Sequence, residues 1–124
     1  MAYLKSLDPN RLVITRGNSA IIDITPIDED TGLPIKLSEG DKVLFTVKST
    51  LGRMMLQKTL TNEDYDGAED TSLNCVINPE DTIEWFNDDY IYDCLMVKAD
   101  GTAITFISST FTLKDAAGVY TDAR

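Results

Sequence analysis

Apolar and polar residues alternate in short runs along most of this chain. Ala20, Ile22 and Ile24 are interleaved with Ile21, Asp23 and Thr25, while Val43, Phe45 and Val47 are interleaved with Leu44, Thr46 and Lys48. Leu73, Cys75 and Ile77 repeat the pattern. A period of two sends successive side chains to opposite faces, so each run reads as a half-buried β-strand. The pattern predicts strands over residues 12–15, 19–27, 43–48, 54–60, 73–77, 90–98, 103–107 and 110–114. Turn residues separate them. Gly17-Asn18 breaks the first two, residues 28–34 form a polar loop, Leu51-Gly52-Arg53 and Asp100-Gly101 read as hairpin turns, and residues 62–72 make a long acidic loop. About seven or eight short strands at this spacing predict an all-β sandwich.

One segment departs from the two-residue period. In Asn78-Pro79-Glu80-Asp81-Thr82, a capping asparagine precedes a first-turn proline and two acids that suit the positive end of a helix dipole. This predicts a short helical turn over residues 80–86 that closes one end of the sandwich, with Trp85 as its plug.

At 124 residues the chain has room for a single domain, with residues 1–10 as an N-terminal arm and 116–124 as a loose C-terminal end. A composition of 43% hydrophobic and 26% charged residues predicts a packed core. No apolar run approaches the roughly 20 residues of a membrane-spanning helix, and residues 1–10 lack a signal-peptide apolar region. The expectation is synthesis in a cytoplasm and no membrane partner. A formal charge of −10 argues against nucleic acid or anionic lipid, and fits either simple solubility or steering toward a basic protein surface. Cys75 and Cys94 each sit inside an apolar run, which predicts buried free thiols.

Little in the chain points to catalysis. The absence of histidine removes the commonest general base and metal ligand, and no phosphate-cradling glycine loop follows a strand. The acid pairs Asp28 with Asp30, Asp64 with Asp66 and Asp88 with Asp89 all lie in polar, loop-like sequence, where solvated charge is expected. Asp28-x-Asp30-x-Gly32 echoes a calcium loop but lacks the carboxylate at its fifth position and the glutamate at its twelfth. The loop holding Asp64, Asp66, Glu69 and Asp70 offers no better spacing. No catalytic, metal or cofactor-binding residue is assigned.

A surface signal comes instead from residues 90–98. Tyr90, Tyr92, Cys94 and Met96 form a core-facing set, which turns Ile91, Asp93, Leu95 and Val97 outward. That outer face is unusually apolar. With Ile21 and Leu44 at outward positions of other strands, the candidate partner interface is Ile21, Leu44, Ile91, Leu95 and Val97, serving a homo-oligomer or a docked protein. The competing reading has residues 80–86 or the arm 1–10 covering the patch.

Several pieces, taken in order, resemble the N-terminal domain of the baseplate upper proteins of phages that infect Gram-positive bacteria. They are Arg16-Gly17-Asn18, Asp30-Thr31-Gly32-Leu33-Pro34, residues 42–48, Asn78-Pro79-Glu80-Asp81-Thr82, Tyr90-Ile91-Tyr92-Asp93, Asp100-Gly101 and Thr110-Phe111-Thr112-Leu113. The chain departs from that pattern at Asn87-Asp88-Asp89, where the family tends to carry a glycine, and it ends at Arg124, where receptor-carrying members continue into a long arm. The resemblance implies an Ig-like antiparallel β-sandwich acting without catalysis, a docking module lacking that arm. It also implies other tail or baseplate proteins as partners, and a place in the virion after synthesis in the bacterial cytoplasm. The alternative is a carbohydrate-binding or adhesin-type sandwich, for which Tyr3, Tyr65, Tyr90, Tyr92, Tyr120 and Trp85 are the available aromatics. A small enzyme or calcium-regulated module is a third class.

Overall fold

The alternating runs become strands whose apolar sides meet across one core. The computed structural model describes residues 11–28, 30–65, 72–86 and 88–115. In chain order these hold β1 (Leu12–Thr15), β2 (Ala20–Ile24), β3 (Lys42–Lys48), β4 (Met54–Thr61), β5 (Leu73–Ile77), α1 (Pro79–Thr82), β6 (Asp88–Val97) and β7 (Ala103–Lys114). One sheet has the order β1-β7-β6-β3-β4, and β2-β5 form the second. The G-F-C-C′ and B-E strands of an Ig-like sandwich are arranged the same way, with β7-β6-β3-β4 in one sheet and β2-β5 in the other.

The core follows the two-residue period. Val43, Phe45 and Val47 of β3 and Tyr90, Tyr92, Cys94 and Met96 of β6 are all buried, as are Ile22 and Ile24 of β2 and Leu73, Cys75 and Ile77 of β5. Phe45 lies at its centre, with its ring centroid 5.3 Å from Tyr92 and 6.4 Å from Phe111. Aromatic rings at these separations add to the burial energy.

Four expectations are corrected. The sandwich is not wholly antiparallel, because β1 runs parallel to β7, with Leu12 beside Phe111 and Ile14 beside Leu113. Strand β2 stops at Ile24, and Ile27 instead bridges Pro34 across the following loop. Residues 103–114 form one strand rather than two. Its register against β6 shifts between Cys94 and Leu95, so Phe106 is an extra residue, and both Phe106 and Ile107 turn inward. A bulge of this kind bends a strand without ending it. The helix also ends at Thr82, short of Phe86. The expected acidic loop 62–72 is described only through Tyr65 and at Ser72, and the arm 1–10 and end 116–124 lie outside the described residues.

The crossing from β1 to β2 carries the chain from one sheet to the other. Gly17 makes it with φ of +79°, and a Cβ there would lie 2.6 Å from Ile83 Cδ1. Its backbone N–H donates to the buried Thr82 Oγ1 at 3.0 Å. Arg16 adds Nε to Asp115 Oδ1 at 2.7 Å and Nη1 to the Ile83 carbonyl at 2.9 Å. These contacts tie the crossing, the end of β7 and the segment after α1 together.

Candidate functional site

Three of the acids that drew attention in the sequence, Asp28, Asp64 and Asp88, serve the backbone. Asp28 Oδ1 accepts from the Asp30 N–H at 2.8 Å, and Asp64 Oδ2 accepts from the Thr61 N–H at 2.7 Å. Asp88 Oδ1 accepts from the Asp89 N–H, and Asp89 Oδ1 accepts from Thr112 Oγ1, both at 2.8 Å. These are turn and cross-strand bonds. Asp66, Glu69 and Asp70 lie outside the described residues. Among the described residues, no three potential metal-ligating side chains come together.

Two carboxylates have specific structural tasks. Asp41 is only 4% exposed, and it accepts from the Ser38 N–H at 2.9 Å and the Ala99 N–H at 2.8 Å. The Ser38 bond, followed by the Ala99 bond, holds its carboxyl below the ordinary value of 3.8. It thereby fastens the turn before β3 to the β6–β7 turn. Asp81 accepts from the Asn78 N–H at 2.7 Å and pairs with Lys58 Nζ at 2.9 Å. Burial works against its ionisation, but the Asn78 bond and Lys58 outweigh burial and lower its pKa.

Cys75 and Cys94 are buried free thiols, as the apolar runs around them predict. Burial pushes the Cys75 thiol up to about 12, and burial, followed by the nearby Cys75, raises Cys94 as well. Neither has the thiolate character that nucleophilic chemistry requires.

The proposed interface set divides between the two sheets. Leu44 and Leu95 are direct cross-strand partners, flanked by Thr59 and Thr105 in the same row. Val97 lies opposite Lys42, and Ile91 opposite Lys48. Ile21 does not join them. It is 65% exposed on the two-stranded sheet, where it pairs with Val76. The core separates the two outer faces, so the contiguous five-residue patch is corrected to a narrow apolar ridge of Leu44, Leu95 and Val97 with Ile91 along the same strand. Periodicity assigns a residue to an outer face but does not say which sheet owns that face.

A different surface gathers more exposed apolar area. Between the β3–β4 turn and the segment leading from α1 into β6 lies a cleft of about 520 Å³, lined by Arg53, Met54, Met55, Glu80, Glu84, Trp85, Phe86 and Tyr90. Its floor is fixed. The Trp85 ring packs 5.1 Å from Tyr90 and 6.1 Å from Phe111, and Tyr90 donates its hydroxyl to the Phe86 carbonyl at 2.7 Å. Burial raises the Tyr90 phenol above its ordinary value, the Asp88 carboxylate adds to the shift, and the bond to Phe86 opposes it.

The mouth of the cleft is unlike its floor. Phe86 is 85% exposed and Met54 is 55% exposed, with Leu51 projecting from the adjacent turn. Trp85 fills the plug position expected of it, but the surroundings of Phe86 and Met54 were not foreseen. Both residues sit where a strand meets a turn, so period-two alternation carries no information about them. The available signal was the choice of large apolar residues, Leu51, Met54 and Phe86, where turn chemistry would accept polar ones.

No protein-family model matches this chain, and no curated protein shows significant sequence similarity to it.

Proposed function

We propose that this chain is a non-catalytic structural protein of a phage or prophage tail or baseplate, and that it works through protein contacts within the particle. One observation carries most weight: the pieces that resemble the baseplate upper N-terminal domain meet one another at the joints of the frame. Arg16-Gly17 docks on Thr82 and the adjacent Ile83, and Tyr90-Ile91-Tyr92-Asp93 pairs with residues 46–48 of β3 on one side and with Thr110-Phe111 on the other. Such joints are what a family frame would keep while its surface changed. Its partners are then other tail or baseplate proteins, after synthesis in the bacterial cytoplasm. Self-association through Leu44 and Leu95 belongs to the same reading, and light scattering should show Leu95→Glu turning an oligomer into a folded monomer.

Immunogold labelling tests the assignment. Antibodies raised against the domain should decorate tail ends of particles from the source strain, and unlabelled particles in a lysate that contains the protein would reject it. A second reading, glycan binding, draws support from exposed Phe86 beside Trp85 and two carboxylates. A glycan array with a Phe86→Ser control tests that reading.

A further inference from the structure

We infer that the cleft between the β3–β4 turn and the α1–β6 segment is a docking site for a positively charged segment of a partner protein that inserts an apolar side chain between Met54 and Phe86. This rests on the reading that the chain acts through protein contacts, and it names the surface and the chemistry of the partner.

The apolar part of the argument begins with position. Phe86 and Met54 are mostly exposed, and they border a floor in which Trp85 is packed against Tyr90. A preorganised floor lowers the ordering cost of binding, and exposed apolar side chains beside charged ones suit a partner segment that carries both characters.

Charge then selects the occupant. Glu80 and Glu84 line the cleft, and among the described residues neither forms an ion pair. Asp88 and Asp89 lie at the start of β6, both exposed, and among the described residues Arg53 is the only base lining the cleft. The chain as a whole carries −10. Such a field accelerates encounter with a basic segment and disfavours an acidic one. A second copy of this chain would bring the same excess of carboxylates to the same place. A sugar is a poorer match as well, because it brings no positive charge to Glu80 and Glu84, and Trp85 is already packed against Tyr90 and Phe111.

Panning a displayed library of random hexapeptides against the full chain, with the Met54→Ser/Phe86→Ser variant as counter-selection, tests the inference. Enriched peptides should combine Lys or Arg with an aromatic or aliphatic residue. Trp85 is the only tryptophan, so its fluorescence reports binding at the cleft. Affinity of an enriched peptide should fall about tenfold or more in Glu80→Gln/Glu84→Gln, in high salt, and when its apolar residue is replaced by serine. The carboxylate variant changes only exposed rim groups, so it stays informative even if the Met54/Phe86 variant folds poorly. Four results would overturn the inference: enrichment of acidic peptides, equal binding to the counter-selection variant, no enrichment at all, or a solution dimer that Phe86→Ser dissociates. Glycan-array binding that depends on Phe86, without peptide binding, would also overturn it. None of these results bears on particle labelling, so the cleft and the particle assignment can fail separately.

Discussion

At the end of the sandwich that carries the β6–β7 turn, the carboxylate of Asp41 is enclosed and fully used, accepting one backbone N–H from Ser38 and another from Ala99. At the opposite end, Glu80 and Glu84 stand beside exposed Phe86 and Met54, and among the described residues neither glutamate forms an ion pair. The same residue classes therefore do different work. Where acid and apolar groups are buried and paired they hold the frame, and where they are exposed and unpaired they cost the fold little to change. The comparison predicts large stability effects at the first end and small ones at the second.

Removing the Asp41 side chain should have the largest effect. Asp41→Ala takes the acceptor from two part-buried backbone donors and removes a buried side chain, and urea unfolding should show a loss of about 2 kcal/mol. Asp41→Asn keeps the shape but not the charge and should lose about half as much.

Acid titration bears on both ends. Asp41 and Asp81 have folded pKa values below the ordinary carboxylate value of 3.8. The stability they contribute is therefore fully present above that unfolded value, and it is lost as pH falls through their lower folded values. Unfolding free energy measured from neutral pH to about pH 2 should fall along this acid limb, and Asp41→Asn should make the fall shallower. An unchanged limb would mean that Asp41 is not held ionised by its backbone donors.

Gly17→Ala tests the crossing near the cleft end. The positive φ of +79° and the close approach of Ile83 Cδ1 both oppose a Cβ, although Ile83 can shift because the contact is at the end of its side chain. A loss of about 1–2 kcal/mol is expected, with partial recovery in Gly17→Ala/Ile83→Val. No recovery would place the cost in the backbone alone.

These effects also mark what could be read from the chain. Strands β3, β5 and β6 were legible because Val43-Phe45-Val47, Leu73-Cys75-Ile77 and Tyr90-Tyr92-Cys94-Met96 alternate and bury almost without exception. The helix start at Asn78-Pro79 was equally plain, and there Asp81 accepts from the Asn78 N–H. The parallel pairing of β1 with β7 was not legible, since a four-residue strand shows which side is apolar but not its neighbour. Nor was the continuity of β7, where Ser108-Ser109 resembles a break and the bulge at Phe106 is a tertiary adjustment. Asp41 reads as an ordinary turn acid after Gly40, and its burial depends on Ala99, 58 residues away. For the cleft the same limit applies, because Met54 and Phe86 are brought together only by the fold.

The smallest predicted effect bears most directly on the central claim, that the cleft end is a surface left available for a partner rather than part of the stabilising core. Urea unfolding of Met54→Ser/Phe86→Ser should give a free energy within about 0.5 kcal/mol of the unaltered chain, as exposed positions do. A loss of about 2 kcal/mol or more, the range of core truncations, would show that these side chains hold the fold together and would contradict the account.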